Sequence, residues 1–207
     1  GEWGPGTDAG RHPLVRAALA QIETYAERLV LLPAARLRMD LNQLELSFAE
    51  VPAERKILVI DYVQKVPIPG VVSSWDSDGA RFVAERMKEL ALSAGGVVVA
   101  IAAVDEAGLL ARRVRLQHLR SAASLSYEAD IAVMLNDKAL ATSRVHLAYD
   151  LTKIQDFESR VVFSIEKNRS GRSAIDLEFV KDFQRFRFLP EGGFVAETLI
   201  DGIVVEE

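Results

Sequence analysis

Ile57-Leu58-Val59-Ile60-Asp61-Tyr62 places four branched apolar residues directly before an acid. A continuous apolar run without polar alternation reads as a strand buried on both faces, at the centre of a parallel sheet. In open α/β sheets ligands settle outside the carboxyl ends of the strands, and Asp61 falls at that end. The plainer reading is that Asp61 caps a loop or helix through its own side chain.

Working outward, the loop from Gln64 to Asp78 carries Pro67, Pro69 and Gly70. An amphipathic helix follows, with Phe82, Val83, Met87, Leu90 and Ala91 on one side, and Gly95-Gly96 ends it. Val97–Val104 is the next apolar strand. Strand, crossover helix and strand make a βαβ unit of right-handed connection. Upstream, residues 1–13 are rich in Gly and Pro and form a loose lead-in. Leu14, Ala18, Leu19, Ile22, Tyr25, Ala26 and Leu29 then recur at helical spacing, with Pro13 in the first turn. Leu29–Leu32 reads as a short buried strand closed by Pro33. A second helix starts at Asp40, with Leu41, Leu44 and Phe48 on one face.

Beyond residue 159 the period becomes two. Val161, Phe163 and Ile165 alternate with Val162, Ser164 and Glu166, and similar alternation recurs along 175–179 and 185–188. This is an antiparallel meander with one buried face. Its first turn, Lys167-Asn168-Arg169-Ser170-Gly171-Arg172, carries three cations at a hairpin tip. Such cations often serve only to protect an edge. The stretch 111–120 adds Arg112, Arg113, Arg115 and Arg120 with no acid among them. It could neutralise phosphates of a nucleic acid, or be a solvated helix face.

The 207 residues suit one domain with appendages, and 49% hydrophobic with 27% charged residues is ordinary globular composition. No apolar run is long enough to span a membrane. With no cysteine there is no thiolate metal site and no thiol nucleophile, which fits a cytoplasmic location. The three histidines share no ligand spacing. A net charge of −5 confines any nucleic-acid surface to a local patch.

Three segments in order resemble the DnaB-like replicative helicases: Ile60-Asp61-Tyr62-Val63-Gln64, then Leu116-Gln117-His118-Leu119-Arg120 through Glu128-Ala129-Asp130-Ile131, then Glu166-Lys167-Asn168-Arg169-Ser170-Gly171. The resemblance covers residues 14–190, with 191–207 as a C-terminal tail. It implies an α/β, RecA-like P-loop NTPase core: a mainly parallel sheet flanked by helices, a C-terminal antiparallel meander, and an N-terminal side that is incomplete. It implies ATP and Mg²⁺ as cofactors, single-stranded DNA as partner, and self-association in a hexameric ring. Asp61 then matches the Walker B aspartate that organises the metal. Lys167 and Arg169 match hairpin cations that reach a neighbour's γ-phosphate, and Arg120, Ser121 and Ala123 fall in the DNA-gripping loop.

The departures are specific. No Gly is followed by Lys, so the chain holds no G-x-x-x-x-G-K-[ST] phosphate cradle. Ala103 stands where the family has a glutamine that senses the γ-phosphate, and Ser121 and Ala123 replace a Glu and a Gly. The expected function is therefore the motor domain of an ATP-dependent DNA helicase, inactive as this chain alone. The alternative is a non-hydrolysing RecA-like assembly or DNA-binding module.

Overall fold

The computed structural model of the protein describes residues 12–32, 39–68, 75, 77–143 and 151–200. Expectations placed on 1–11, Pro33, 69–74, 76 and 201–207 lie outside these residues. The chain divides into two units, Gly1–Met39 and Asp40–Glu207.

In the first unit, α1 (Pro13–Glu23) begins at His12, whose Nδ1 accepts from the Leu14 N–H at 3.3 Å, with Pro13 in the first turn. It stops earlier than its apolar stripe implies. The Thr24 hydroxyl donates to the Gln21 carbonyl at 2.7 Å, a local bond that competes with helix continuation. A 3-10 turn, Ala26–Arg28, follows. Leu29–Leu32 is not the expected buried strand: all four residues are exposed, and no strand pairs with them among the described residues.

The second unit opens with α2 (Leu41–Glu50). Asp40 and Gln43 form a capping box, and Leu41, Leu44 and Phe48 are buried as the sequence spacing requires. Lys56 Nζ donates to the carbonyls of Phe48, Ala49 and Val51, closing the helix C-terminus with a cation. Strand β1 (Ile57–Ile60) then pairs in parallel with β2 (Val97–Ala100) across the helix α3 (Ser77–Ser93). Val83, Ala84, Met87 and Leu90 supply the buried side of α3. Gly96 lets the chain enter β2 close to α2: an added Cβ would sit 2.6 Å from the Phe48 ring and 2.9 Å from the Lys56 carbonyl.

β1 does not behave as the centre of a broad sheet. Among the described residues its single strand neighbour is β2, and Ile57 and Val59 are 68% and 61% exposed. Ile60 alone is buried, so only one face of this pair is covered. Four branched residues in a row report high strand preference; they do not report how many faces are packed. β2 also ends at Ala100 and not near Val104. The chain beyond it turns away, with the Ile101 N–H donating to the Ile60 carbonyl and Val104 bridging to Leu119.

The larger sheet is antiparallel, in the order β3 (Ile131–Asp137), β4 (Arg160–Asn168), β5 (Ile175–Asp182), β6 (Arg187–Phe194). The described strands are thus two parallel and four antiparallel, in a mixed α/β fold. Short helices fill the connections: α4 (Glu106–Leu110), α5 (Ala122–Glu128), α6 (Lys138–Ala141) and α7 (Leu151–Glu158).

Both faces of β4 are covered, where the alternation suggested one. Phe163 stacks edge-on against Phe179 and Phe188, at 5.0 and 5.4 Å between ring centres. On the other face Val162 and Ser164 are buried, and Val162 packs with Ala141 and Leu199. Leu199 arrives through main-chain bonds from Ile200 N–H to the Ala141 carbonyl and from Ser143 N–H to the Thr198 carbonyl. Position 190, where the sequence reading ends the motor portion, falls inside β6. Phe186 ends the 3-10 turn between β5 and β6 in a left-handed conformation (φ 51°), with its ring fully in solvent.

Candidate functional site

Asp61 follows β1 directly and is exposed at its carboxyl end, beside the end of β2. The Asp61–Tyr62 peptide is cis. The following 3-10 turn, Val63–Lys65, is anchored by Val63, which is buried and donates its N–H to the Ile101 carbonyl at 2.8 Å. Gln64 completes the anchor. Its side-chain amide donates to the Ala103 carbonyl at 2.9 Å and accepts from the Ala103 N–H at 3.1 Å, as a strand neighbour would. The position matching the family's sensor glutamine is thus held by its backbone, and its own methyl group offers no hydrogen bond. An exposed carboxylate at this place can give one ligand to a magnesium ion whose remaining partners are phosphates and water. Among the described residues no group of three metal-binding side chains converges.

The arginine stretch is less free than its sequence suggests. Arg113 has a side chain only 7% exposed; it donates to Asp176 at 2.7 Å and to the Ser164 hydroxyl at 3.3 Å. Arg115 forms an ion pair with Glu166, whose second oxygen accepts from the Leu116 N–H at 3.0 Å. Arg112 reaches the Thr142 carbonyl at 3.4 Å. Asp176 and Glu166 lie 63 and 51 residues further along the chain, so a local count of acids could not find them. These pairs fasten the 112–116 segment to the antiparallel sheet. Arg120 is exposed, with its carbonyl accepting from the Trp75 indole at 3.4 Å. Ser121 is left-handed (φ 63°) at the start of α5, and Ala123 is exposed in its first turn.

Lys167 and Arg169 do not project from the hairpin. Lys167 Nζ donates to the Ser126 carbonyl and, at 3.1 Å, to the Tyr127 carbonyl. Arg169 donates to the Tyr127 carbonyl and to Asp130 at 3.2 Å, while its own N–H bonds the Asp130 carbonyl at 2.9 Å. Both cations therefore sit on the last turn of α5, where helix carbonyls lack partners and attract positive charge. The antiparallel register dictates this, because Lys167 pairs with Ala132 and Asn168 with Ile131, bringing the hairpin alongside residue 130. Partial burial lowers the pKa of Lys167, and the charge of Arg169 adds to the effect.

Asp130 is the hub the sequence reading quoted without a role. Lys88, from α3, donates to both of its oxygens at 2.6 and 2.5 Å, opposite Arg169. The Lys88 hydrogen bond, ahead of the Arg169 contribution, holds the Asp130 carboxyl below the ordinary aspartate range. The folded state thus keeps Asp130 ionised to lower pH than the unfolded chain does. Its stabilisation is complete above the unfolded value of about 3.9 and is lost as pH falls through the lowered folded value. Lys88→Met should remove part of that increment: urea melts at pH 7 and pH 3 should differ less in the variant than in the parent. An unchanged difference would show that the Lys88 contact leaves Asp130 untouched.

No family model and no curated protein matches the chain. Among solved structures it is similar to the ATPase domain of a DnaB-like helicase, with a TM-score of 0.59 and 19% sequence identity. The match covers 73% of this chain and 51% of that one, so the chain spans about half the length of the structure it resembles. At this identity the likeness is one of fold: a mixed α/β, RecA-like ATPase-domain fold. It is the fold that the resemblance carried by the three sequence segments implies. No helix among the described residues is long and apolar enough to cross a membrane.

Proposed function

We propose that this chain is the part of a DnaB-like motor that carries the metal-organising aspartate, the single-strand loop and the trans-acting cations. In this reading the complete protein is an ATPase that couples hydrolysis to movement along single-stranded DNA, as a hexameric ring. The observation that carries it is the exposed Asp61 at the carboxyl end of a parallel strand, in a fold similar to an ATPase domain. Asp61 would contact Mg²⁺ bridging the nucleotide phosphates, and that ion neutralises charge on the transferring phosphoryl group. Lys167 and Arg169 would act on a neighbour's nucleotide; Arg120, Ser121 and Ala123 would line the DNA path, with Arg112 beside them. Arg113 and Arg115 serve mainly to hold that loop on the sheet.

Ala103 favours a second reading. With no side-chain hydrogen bonds at the sensor position, and no Gly-Lys pair in the sequence, the chain suits a RecA-like module that assembles or binds DNA without hydrolysing ATP.

The readings part on one experiment. The full-length gene product should hydrolyse ATP in a Mg²⁺-dependent way, faster with oligothymidylate present, and Asp61→Asn should reduce this at least 100-fold. Absence of DNA-stimulated hydrolysis in the parent would leave the second reading standing.

A further inference from the structure

The proposed DNA loop and the proposed finger cations lie at opposite ends of one short helix. Helix α5 spans seven residues, about 10 Å at 1.5 Å per residue. Arg120, Ser121 and Ala123 occupy its beginning. Lys167 and Arg169 hold the Ser126 and Tyr127 carbonyls at its end, and Asp130 stands just beyond.

This helix has little stability of its own. A helix of seven residues is far below the length at which an isolated helix persists in water. Its N-cap, Ser121, is left-handed and makes no side-chain capping bond. The main-chain bonds at its start are long, from the Ser124 and Leu125 N–H groups to the Ser121 carbonyl at 3.2 and 3.4 Å. What fixes its far end is the pair of cations from β4 and its turn, held in turn by Asp130 and Lys88. The N–H donors of those two cations are the ones a neighbour's phosphate would need.

We infer that α5 is a mechanical link between the two sites: Lys167 and Arg169 either clamp its last turn or reach a phosphate, and releasing the clamp loosens the loop at its first turn. Asp130 is the positioning residue that sets the clamped arrangement. The inference rests on the functional reading for what the two ends bind, but the link itself is a property of this chain alone. By linkage the coupling runs both ways, so a ligand that orders the loop strengthens the clamp.

Amide hydrogen exchange on the 207-residue protein tests it with neither nucleotide nor DNA present. In Arg169→Ala, exchange at 124–129 should quicken at least tenfold and the change should extend to Arg120–Ala123. Arg169→Lys should restore part of the protection. Asp130→Asn, nearly isosteric, serves as a second variant with an effect of the same pattern and roughly a third the size. Amides of β1 and β4 act as the internal reference, because a merely destabilised protein would lose protection there too. Quickening confined to 126–130, or spread evenly through both sheets, would overturn the link. DNA affinity is scored separately with oligothymidylate, so failure of the DNA reading cannot be mistaken for failure of the link.

Discussion

Arg169→Ala in the full-length protein should reduce ATP hydrolysis by about 10³- to 10⁵-fold, the range in which a trans-acting arginine stabilises charge on a transferring phosphoryl group. Nucleotide affinity should change little, because the phosphate-binding loop of the same subunit is not touched. The structure adds a qualification about the starting point. Arg169 rests on Tyr127 and Asp130 of its own chain, so it must leave those partners before it can act on a neighbour. Mixing Arg169→Ala subunits with subunits whose phosphate cradle is disabled should therefore recover partial activity, since some interfaces then combine an intact pocket with an intact arginine. Hydrolysis at the parent rate in the variant would remove the finger role and leave Arg169 as the C-terminal cap of α5.

The largest stability effect should come from Lys138, far from the proposed chemistry. Its side chain is 2% exposed, and Nζ lies 2.5 Å from Glu178, 2.9 Å from Glu197 and 4.3 Å from the Phe157 ring centre. Arg160 completes the cluster, at 3.0 Å from both Glu178 and Asp156. Removing the cation from a buried cluster strands carboxylates in a poorly hydrated site, at a cost of about 3–5 kcal/mol. That is a large fraction of the roughly 5–15 kcal/mol by which a domain is stable. Lys138→Met keeps the aliphatic volume and still loses the charge, so urea unfolding should show most of that loss. A triple variant that adds Glu178→Gln and Glu197→Gln should recover more than half, because a neutral set no longer demands a cation. If Lys138→Met alone unfolds like the parent, the cluster contributes nothing and the Phe157 packing accounts for the site.

The parts of the fold that the sequence made legible are those fixed by local chemistry. The capping box at Asp40, the apolar side of α3, the turn at Gly95-Gly96 and the hairpin strands all follow from short-range pattern and spacing. Asp61 at the end of β1 was legible for the same reason. What escaped was set by partners distant in the chain. Apolar runs at 29–32 and 57–60 reported propensity, and burial depends on what packs against them. Arg113 and Arg115 looked like free surface charge because Asp176 and Glu166 arrive from strands fifty or more residues away. Asp130 stood within a quoted motif, yet its role needs Lys88 from α3, to which no sequence signal points. The alternation along β4 failed at Ser164, a polar residue buried because Arg113 and Asp176 meet it there.

That three-way contact also says something about inheritance. Ser164 and Asp176 face each other in register on adjacent strands, and Arg113 reaches both from a connecting loop. A lineage that loses Asp176 keeps a guanidinium sealed in the protein with its counter-charge gone, and one that loses Arg113 keeps a carboxylate aimed at an empty place. Neither step is tolerable for long by itself. The positions should drift as a set, turning over together to an uncharged trio or not at all, and the ancestry of the 112–116 loop would be written in β5 as much as in the loop itself.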